Sequence, residues 1–157
     1  MALDRQSTAR QHRRDFILPC LMVIAGWIAM VLYTAIGLKA GLVGALGESL
    51  DWIIVLAISV FAGLIGLIAA CKLFGEDAEG LWLGLVRLAG ICSVTMAVAL
   101  IFAPIIGCLH IILTLGIMSG LIAAVFRMDL RAGMVVATVT WLVWFGASLG
   151  VTWMTSR

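Results

Sequence analysis

Between Leu81 and Phe126 the chain runs for 46 residues with one formal charge, Arg87, and one histidine, His110. As a single α-helix, at about 1.5 Å per residue, that stretch would be roughly 69 Å long. The hydrocarbon core of a bilayer is only about 30 Å thick. The stretch therefore has to turn back on itself, and one place offers the means: Pro104-Ile105-Ile106-Gly107. Proline disfavours helix at Ala103 and cannot donate to the helical ladder, while Gly107 supplies the backbone freedom for a tight reversal. A hairpin of two spans, 81–103 and 105–126, is the expectation, with a re-entrant loop as the alternative.

The rest of the chain follows the same logic. Hydrophobic residues make up 64% and charged residues 11%, with a mean hydropathy of +1.23, far outside soluble averages. Residues 1–15 form a polar, basic tail without apolar periodicity. Residues 16–38 make a first span, too long for the apolar region of a cleaved signal, so the arginines before it read as an anchor rather than a twin-arginine export address. Pro19 falls in the first turn of that span, where its missing N–H costs little. Residues 39–51, with Gly41, Gly44 and Gly47, read as a glycine-spaced outer loop. They lack the strand and the Gly-Lys-Ser/Thr ending that phosphate binding needs. Residues 52–71 form the second span and 72–80 an acidic loop whose carboxylates match no calcium-binding spacing. After the hairpin, 127–131 is a short charged turn, 132–154 the fifth span and 155–157 a tail.

The fold class is thus all-α, an integral membrane bundle of five helices. Its orientation follows from the cations. With the N-terminus in the cytoplasm, segments 1–15, 72–87 and 127–131 hold eight of the ten Lys and Arg residues, and the outer side holds Lys39 and Arg157. That bias is what the positive-inside rule requires, and it puts the C-terminus outside. A single crossing by 81–126 would reduce it to six against four. The membrane is read as the bacterial inner membrane, or an endomembrane in a eukaryote.

Candidate functional residues are few. Arg87 lies within reach of cytoplasmic water and reads as a snorkelling anchor, with Glu76, Asp77, Glu79 or Asp129 as partners. His110 and Thr114, one turn apart near the outer face, could form a small polar site facing the bundle interior. Arg87 and His110 fall on opposite sides of the bilayer and cannot pair. Gly116 and Gly120 share a face with Ala123 and Ala124, expected to pack on Cys92, Thr95, Ala99 and Ala103 of the preceding span. Gly146 and Gly150 repeat the spacing, as do Gly80/Gly84, Gly133/Ala137 and Ala25/Ala29. Small residues four apart permit the close backbone approach that drives helix association in lipid. Thr138, Ser148 and Thr152 line one side of the last helix as a second hydroxyl face. The four cysteines sit in apolar runs and read as buried hydrophobes. No span carries a mid-depth carboxylate for proton coupling, and no nucleophile, base and orienting group come together. The expectation is a non-enzyme with no metal or cofactor and no nucleic-acid partner. Its partners would be the bilayer and either a membrane protein or a second copy. It would be a scaffold or accessory subunit, or else an oligomeric channel or carrier.

The segment Ile101-Phe102-Ala103-Pro104-Ile105-Ile106-Gly107, followed by a further span and then Arg127-Met128-Asp129-Leu130-Arg131-Ala132 before the last, resembles the Yip (Ypt-interacting) membrane proteins and their prokaryotic relatives over about residues 72–154. The resemblance implies five spans, a cytoplasmic N-terminus and a membrane-organising, partner-binding role without catalytic residues.

The topology has a direct test. In a cysteine-free background, Ile106→Cys is expected to react with an impermeant maleimide from outside only, and Glu76→Cys and Asp129→Cys from inside only. Reaction of position 129 from outside would rule out five spans.

Overall fold

The computed structural model describes the backbone of residues 2–37, 41–75 and 81–155, and most side chains between 16 and 146. Five α-helices account for almost all of it: α1 (Ala2–Leu32), α2 (Gly41–Phe74), α3 (Leu81–Ile106), α4 (Leu109–Phe126) and α5 (Leu130–Thr155), with a π-helical turn, Tyr33–Gly37, closing α1. Four apolar helices are long enough to cross a membrane, at Phe16–Gly37, Val43–Phe74, Trp82–Ile106 and Leu109–Phe126; the described apolar part of α5, Leu130–Gly146, is shorter. The protein is an all-α bundle with the character of an integral membrane protein.

The long apolar stretch does reverse, but not at its proline. Helix α3 continues through Pro104 to Ile106, and the chain turns at Gly107, whose φ is +54°. Near a helix end a missing N–H removes a single bond. The Gly107 N–H still reaches the Ala103 carbonyl at 3.1 Å, closing the last turn. The same device ends α2, where Gly75 (φ +70°) bonds the Cys71 carbonyl at 2.9 Å. At the far end of α4 the left-handed position is taken by Arg127 (φ +56°), which keeps a cation in the charged turn at the cost of backbone strain.

Two expectations about the first half need correction. Helix α1 reaches back to Ala2, so the basic tail is helical, and Pro19 lies well inside a helix and not in its first turn. Residues 2–15 contain neither glycine nor proline and are rich in helix formers, so the membrane helix propagates into them. The glycine-spaced loop is also helix: α2 begins at Gly41 and absorbs 41–51. In an apolar environment, intrahelical bonds satisfy backbone groups that a loop would leave open, which outweighs the weak propensity of Gly44 and Gly47.

Helices α2, α3, α4 and α5 pack as a closed ring in the order α2–α3–α4–α5–α2, and α1 lies outside it, chiefly against α3. Close backbone contacts hold this arrangement. A Cβ on Gly90 would come within 2.8 Å of the Pro19 carbonyl oxygen; one on Gly26 would strike Ser93; one on Gly133 would come within 2.6 Å of the Ser119 carbonyl oxygen. The Ser93 hydroxyl also donates to the Val23 carbonyl at 3.1 Å, joining α3 to α1. Buried Pro19, a poor residue for a helix interior, thus nests against Gly90. Inside the ring, Leu88, Ile91, Ile122 and Val136 are fully buried, with Leu67 and Phe126 beside them.

The expected α3–α4 seam differs. The two helices are neighbours, yet Gly116 and Gly120 are exposed and a Cβ on either would meet nothing. The face of α4 turned inward is Thr114, Met118, Ser119, Ile122 and Phe126. Gly146 is likewise open, Gly80 and the surroundings of Gly150 lie outside the described residues, and Ala25 is exposed. Gly133 and Ala137 are buried as expected, though against α4 in the case of Gly133.

Substituting glycines one at a time separates these roles. Gly133→Ala is expected to lower bundle stability by about 1–3 kcal/mol, because the contact is with backbone and the helices must part. Gly120→Ala should cost nothing and, through helix propensity, gain up to about 1 kcal/mol. Unfolding in mixed micelles followed by circular dichroism measures both.

Candidate functional site

The ring is packed solid at the Arg87 end and hollow at the Gly107 end. The hollow is a cavity of about 230 Å³ with walls from all four ring helices. On α3 its lining runs from Cys92 to Ala103, roughly 16 Å of helix. Ala99 and Ala103 on that wall leave the space that longer side chains would fill, while Met96, Leu115 and Met118 keep much of it apolar. Trp52 on α2 and Trp141 and Trp144 on α5 supply aromatic surface, and Trp141 is held by stacking on Phe145 (5.3 Å between ring centroids).

Polar groups reach the cavity from every helix of the ring: Ser59, Thr95, Thr114, Thr140 and His110. Each hydroxyl is buried and donates its proton to its own helix, one turn back. Ser59 bonds the Val55 carbonyl (2.8 Å), Thr140 that of Val136 (2.8 Å), Thr114 that of His110 (2.7 Å), and Thr95 that of Ile91. This is how a hydroxyl becomes tolerable in a membrane helix. His110 Nδ1 lies 2.6 Å from the Gly107 carbonyl oxygen. Because a carbonyl only accepts, Nδ1 carries the proton and Nε2 of the neutral ring is left as an acceptor. The hydroxyl of Thr114 serves main-chain carbonyls and not the imidazole, so no activated nucleophile arises from this pair.

His110 and Thr114 both line the α4 wall of this hollow. The α3 face of Cys92, Thr95, Ala99 and Ala103 is also a real unit, but it forms cavity wall and not a seam against Gly116 and Gly120. Pro104 and Gly107 shape the end of α3 without lining the cavity. On α5 the inward hydroxyl is Thr140; Thr138 is exposed, and the side chains of Ser148 and Thr152 lie outside the described residues. Positions 138 and 140 differ by about 200° around a helix. The spacing Gly133, Val136, Ala137, Thr140 marks the buried face and would have selected Thr140. Ser59 and the three tryptophans carried no such signal; only the closed ring gathers them.

Arg87 is not a snorkelling anchor. It is 4% exposed, turned into the bundle, and its guanidinium carbon sits 5.7 Å from the centre of the Phe126 ring. A planar, weakly hydrated cation can stack on an aromatic face within an apolar bundle, which offsets part of its desolvation. Glu76, Asp77 and Glu79 lie outside the described residues. Some 16 residues of α3, about 24 Å, separate Arg87 from Ala103 at the cavity end, in keeping with its remoteness from His110.

Among the described residues no three His, Cys, Asp or Glu side chains lie close enough to hold a metal ion. The four cysteines are free thiols: Cys92 is buried in the cavity wall, Cys20 and Cys71 are half-buried, and Cys108 is exposed in the hairpin turn. Compared with family models, curated proteins and solved structures, the chain matches none.

The Arg87–Phe126 contact is open to test. Phe126→Leu keeps an apolar side chain but removes the ring face, and is expected to lower unfolding stability by about 1–2 kcal/mol, read from the same micellar unfolding curve.

Proposed function

We propose that this protein is a non-enzymatic, five-span membrane protein of the binding or carrier class, which holds a small solute within its helical ring. The cavity of about 230 Å³ is the observation that carries this reading. An apolar pocket with a few convergent polar groups is the usual form of a small-molecule site, and bundles build such sites between facing helices. The cation distribution in the sequence supports a cytoplasmic N-terminus, which would turn the hollow end of the ring to the outer side. Helix α5, 26 residues in all, has the length of a fifth span. A plasma or inner membrane is the setting that suits an outward-facing cavity.

A second reading keeps the chain as an accessory subunit, the role implied by its resemblance to Yip proteins. Its support is the face of α4 bearing Gly116 and Gly120, where nothing among the described residues lies within 4 Å of an added Cβ. A helix of a partner or of a second copy could approach closely there.

Ligand-dependent stability discriminates between them. A ligand that binds only the folded bundle raises its melting temperature with concentration. In lipid nanodiscs, one-ring solutes are expected to produce a saturable rise, and Ala99→Phe, which fills the cavity, should remove it. If no solute in the set shifts the wild type, or if Ala99→Phe responds equally, the binding reading fails. Gly116→Leu/Gly120→Leu leaves the cavity alone and should abolish co-purification if the accessory reading holds.

A further inference from the structure

We infer that the cavity selects a neutral, one-ring solute bearing a hydroxyl or N–H donor, a phenol-like molecule, over charged solutes and over solutes that only accept hydrogen bonds. This rests on the reading of the cavity as a binding site and adds the chemistry of its ligand.

The hydrogen-bond bookkeeping gives the polarity. The hydroxyls of Ser59, Thr95, Thr114 and Thr140 have all committed their protons to main-chain carbonyls. Their oxygens retain lone pairs, and a hydroxyl so engaged can only accept. His110 has its Nδ1 proton on the Gly107 carbonyl, so in the neutral ring the other nitrogen is also an acceptor. From four helices the hydroxyl and imidazole groups of the lining thus present acceptors, beside the indole N–H donors of Trp52, Trp141 and Trp144. A ligand that supplies a donor completes them; a ligand with only acceptors leaves these five groups without one.

Charge is settled by what surrounds these groups. Among the described residues, no carboxylate, lysine or arginine belongs to the lining. A cation or anion would leave water for a largely apolar cavity with no counter-charge, and burial of an unpaired ion is heavily penalised. Size follows from volume. An enclosed cavity of about 150 Å³ holds benzene; at about 230 Å³ this half-open hollow has room for one ring with a short substituent. Aromatic surface from Trp52, Trp141 and Trp144 favours a ring over a chain of equal volume.

The test compares matched probes on the full-length protein in phosphatidylcholine nanodiscs, with empty nanodiscs subtracted for partitioning, by isothermal titration calorimetry. 4-Ethylphenol is expected to bind about three- to tenfold more tightly than 4-ethylanisole, its methyl ether, the ratio that one net hydrogen bond produces. Phenethylammonium should show no saturable binding. In His110→Phe/Thr114→Val the phenol-to-ether ratio should fall to about one; the wild-type ratio stands as a test by itself should that variant misfold. Equal binding of phenol, ether and ethylbenzene would overturn the inference while leaving the cavity a binding site. Tighter binding of the ether would show that indole N–H donors dominate and would also overturn it. Tighter binding of phenethylammonium would overturn the selection against charge. Binding of no probe at all would remove the inference together with the reading beneath it.

Discussion

The contact on which the structure depends is the approach of α2 to α5 at Gly66. A Cβ there would lie 3.1 Å from the Cα and carbonyl oxygen of Val136, so the two backbones meet with no side chain between them. These helices are separated in the chain by the whole of α3 and α4. Their contact converts a succession of hairpins into a ring. Lipid provides little hydrophobic drive for helices to associate, so dispersion between closely approaching backbones has to supply it. Gly63 extends the seam, with Leu88 on one side and the Thr140 hydroxyl on the other. Without this closure Ser59 and Trp52 would face lipid and the cavity would have no fourth wall.

Packing around the ring is uneven, and the unevenness has consequences. At the Arg87 end large aliphatic side chains interdigitate, and a buried guanidinium lies over Phe126. Towards Gly107 the inward positions of α3 become alanine, and the helices, with three tryptophans among the lining, leave a half-open hollow instead of filling it. Hydroxyls at that depth would be costly if left unpaired. Each is satisfied within its own helix, so polar groups line the cavity without requiring a partner across it. A solute can then enter without first breaking an interhelical hydrogen bond among these four hydroxyls.

Much of the architecture was legible in the sequence because length and hydropathy act through simple limits. The reversal of Leu81–Phe126 follows from bilayer thickness alone, and the separation of Arg87 from His110 follows from the reversal. The exact turn did not follow, since Pro104 near a helix end costs one bond whereas Gly107 provides the left-handed conformation the reversal requires. Glycine spacing misled where it was read by itself. Gly116 and Gly120 have the pattern of a packing face yet point outward, while Gly90 and Gly26, which do make close contacts, belong to no four-residue repeat; Gly66 does, between Ala62 and Ala70, and that repeat is buried. Whether a glycine packs depends on the helix opposite, and that is tertiary information. The same holds for the site: His110 with Thr114 and the α3 face of Thr95, Ala99 and Ala103 could be read from helical spacing, but Ser59, Thr140 and the tryptophans join them only across the closed ring.

Ring closure is therefore the claim to measure. Gly63→Cys with Thr140→Cys, in a chain whose four native cysteines are replaced by alanine, puts two thiols across the α2–α5 seam at mid-depth. Mild oxidation of the protein in its native membrane, followed by a gel-mobility assay of disulfide formation, reads the contact. A closed ring predicts near-complete cross-linking within a single chain, independent of protein density in the membrane. Failure to cross-link, or cross-linking only between chains, would contradict it.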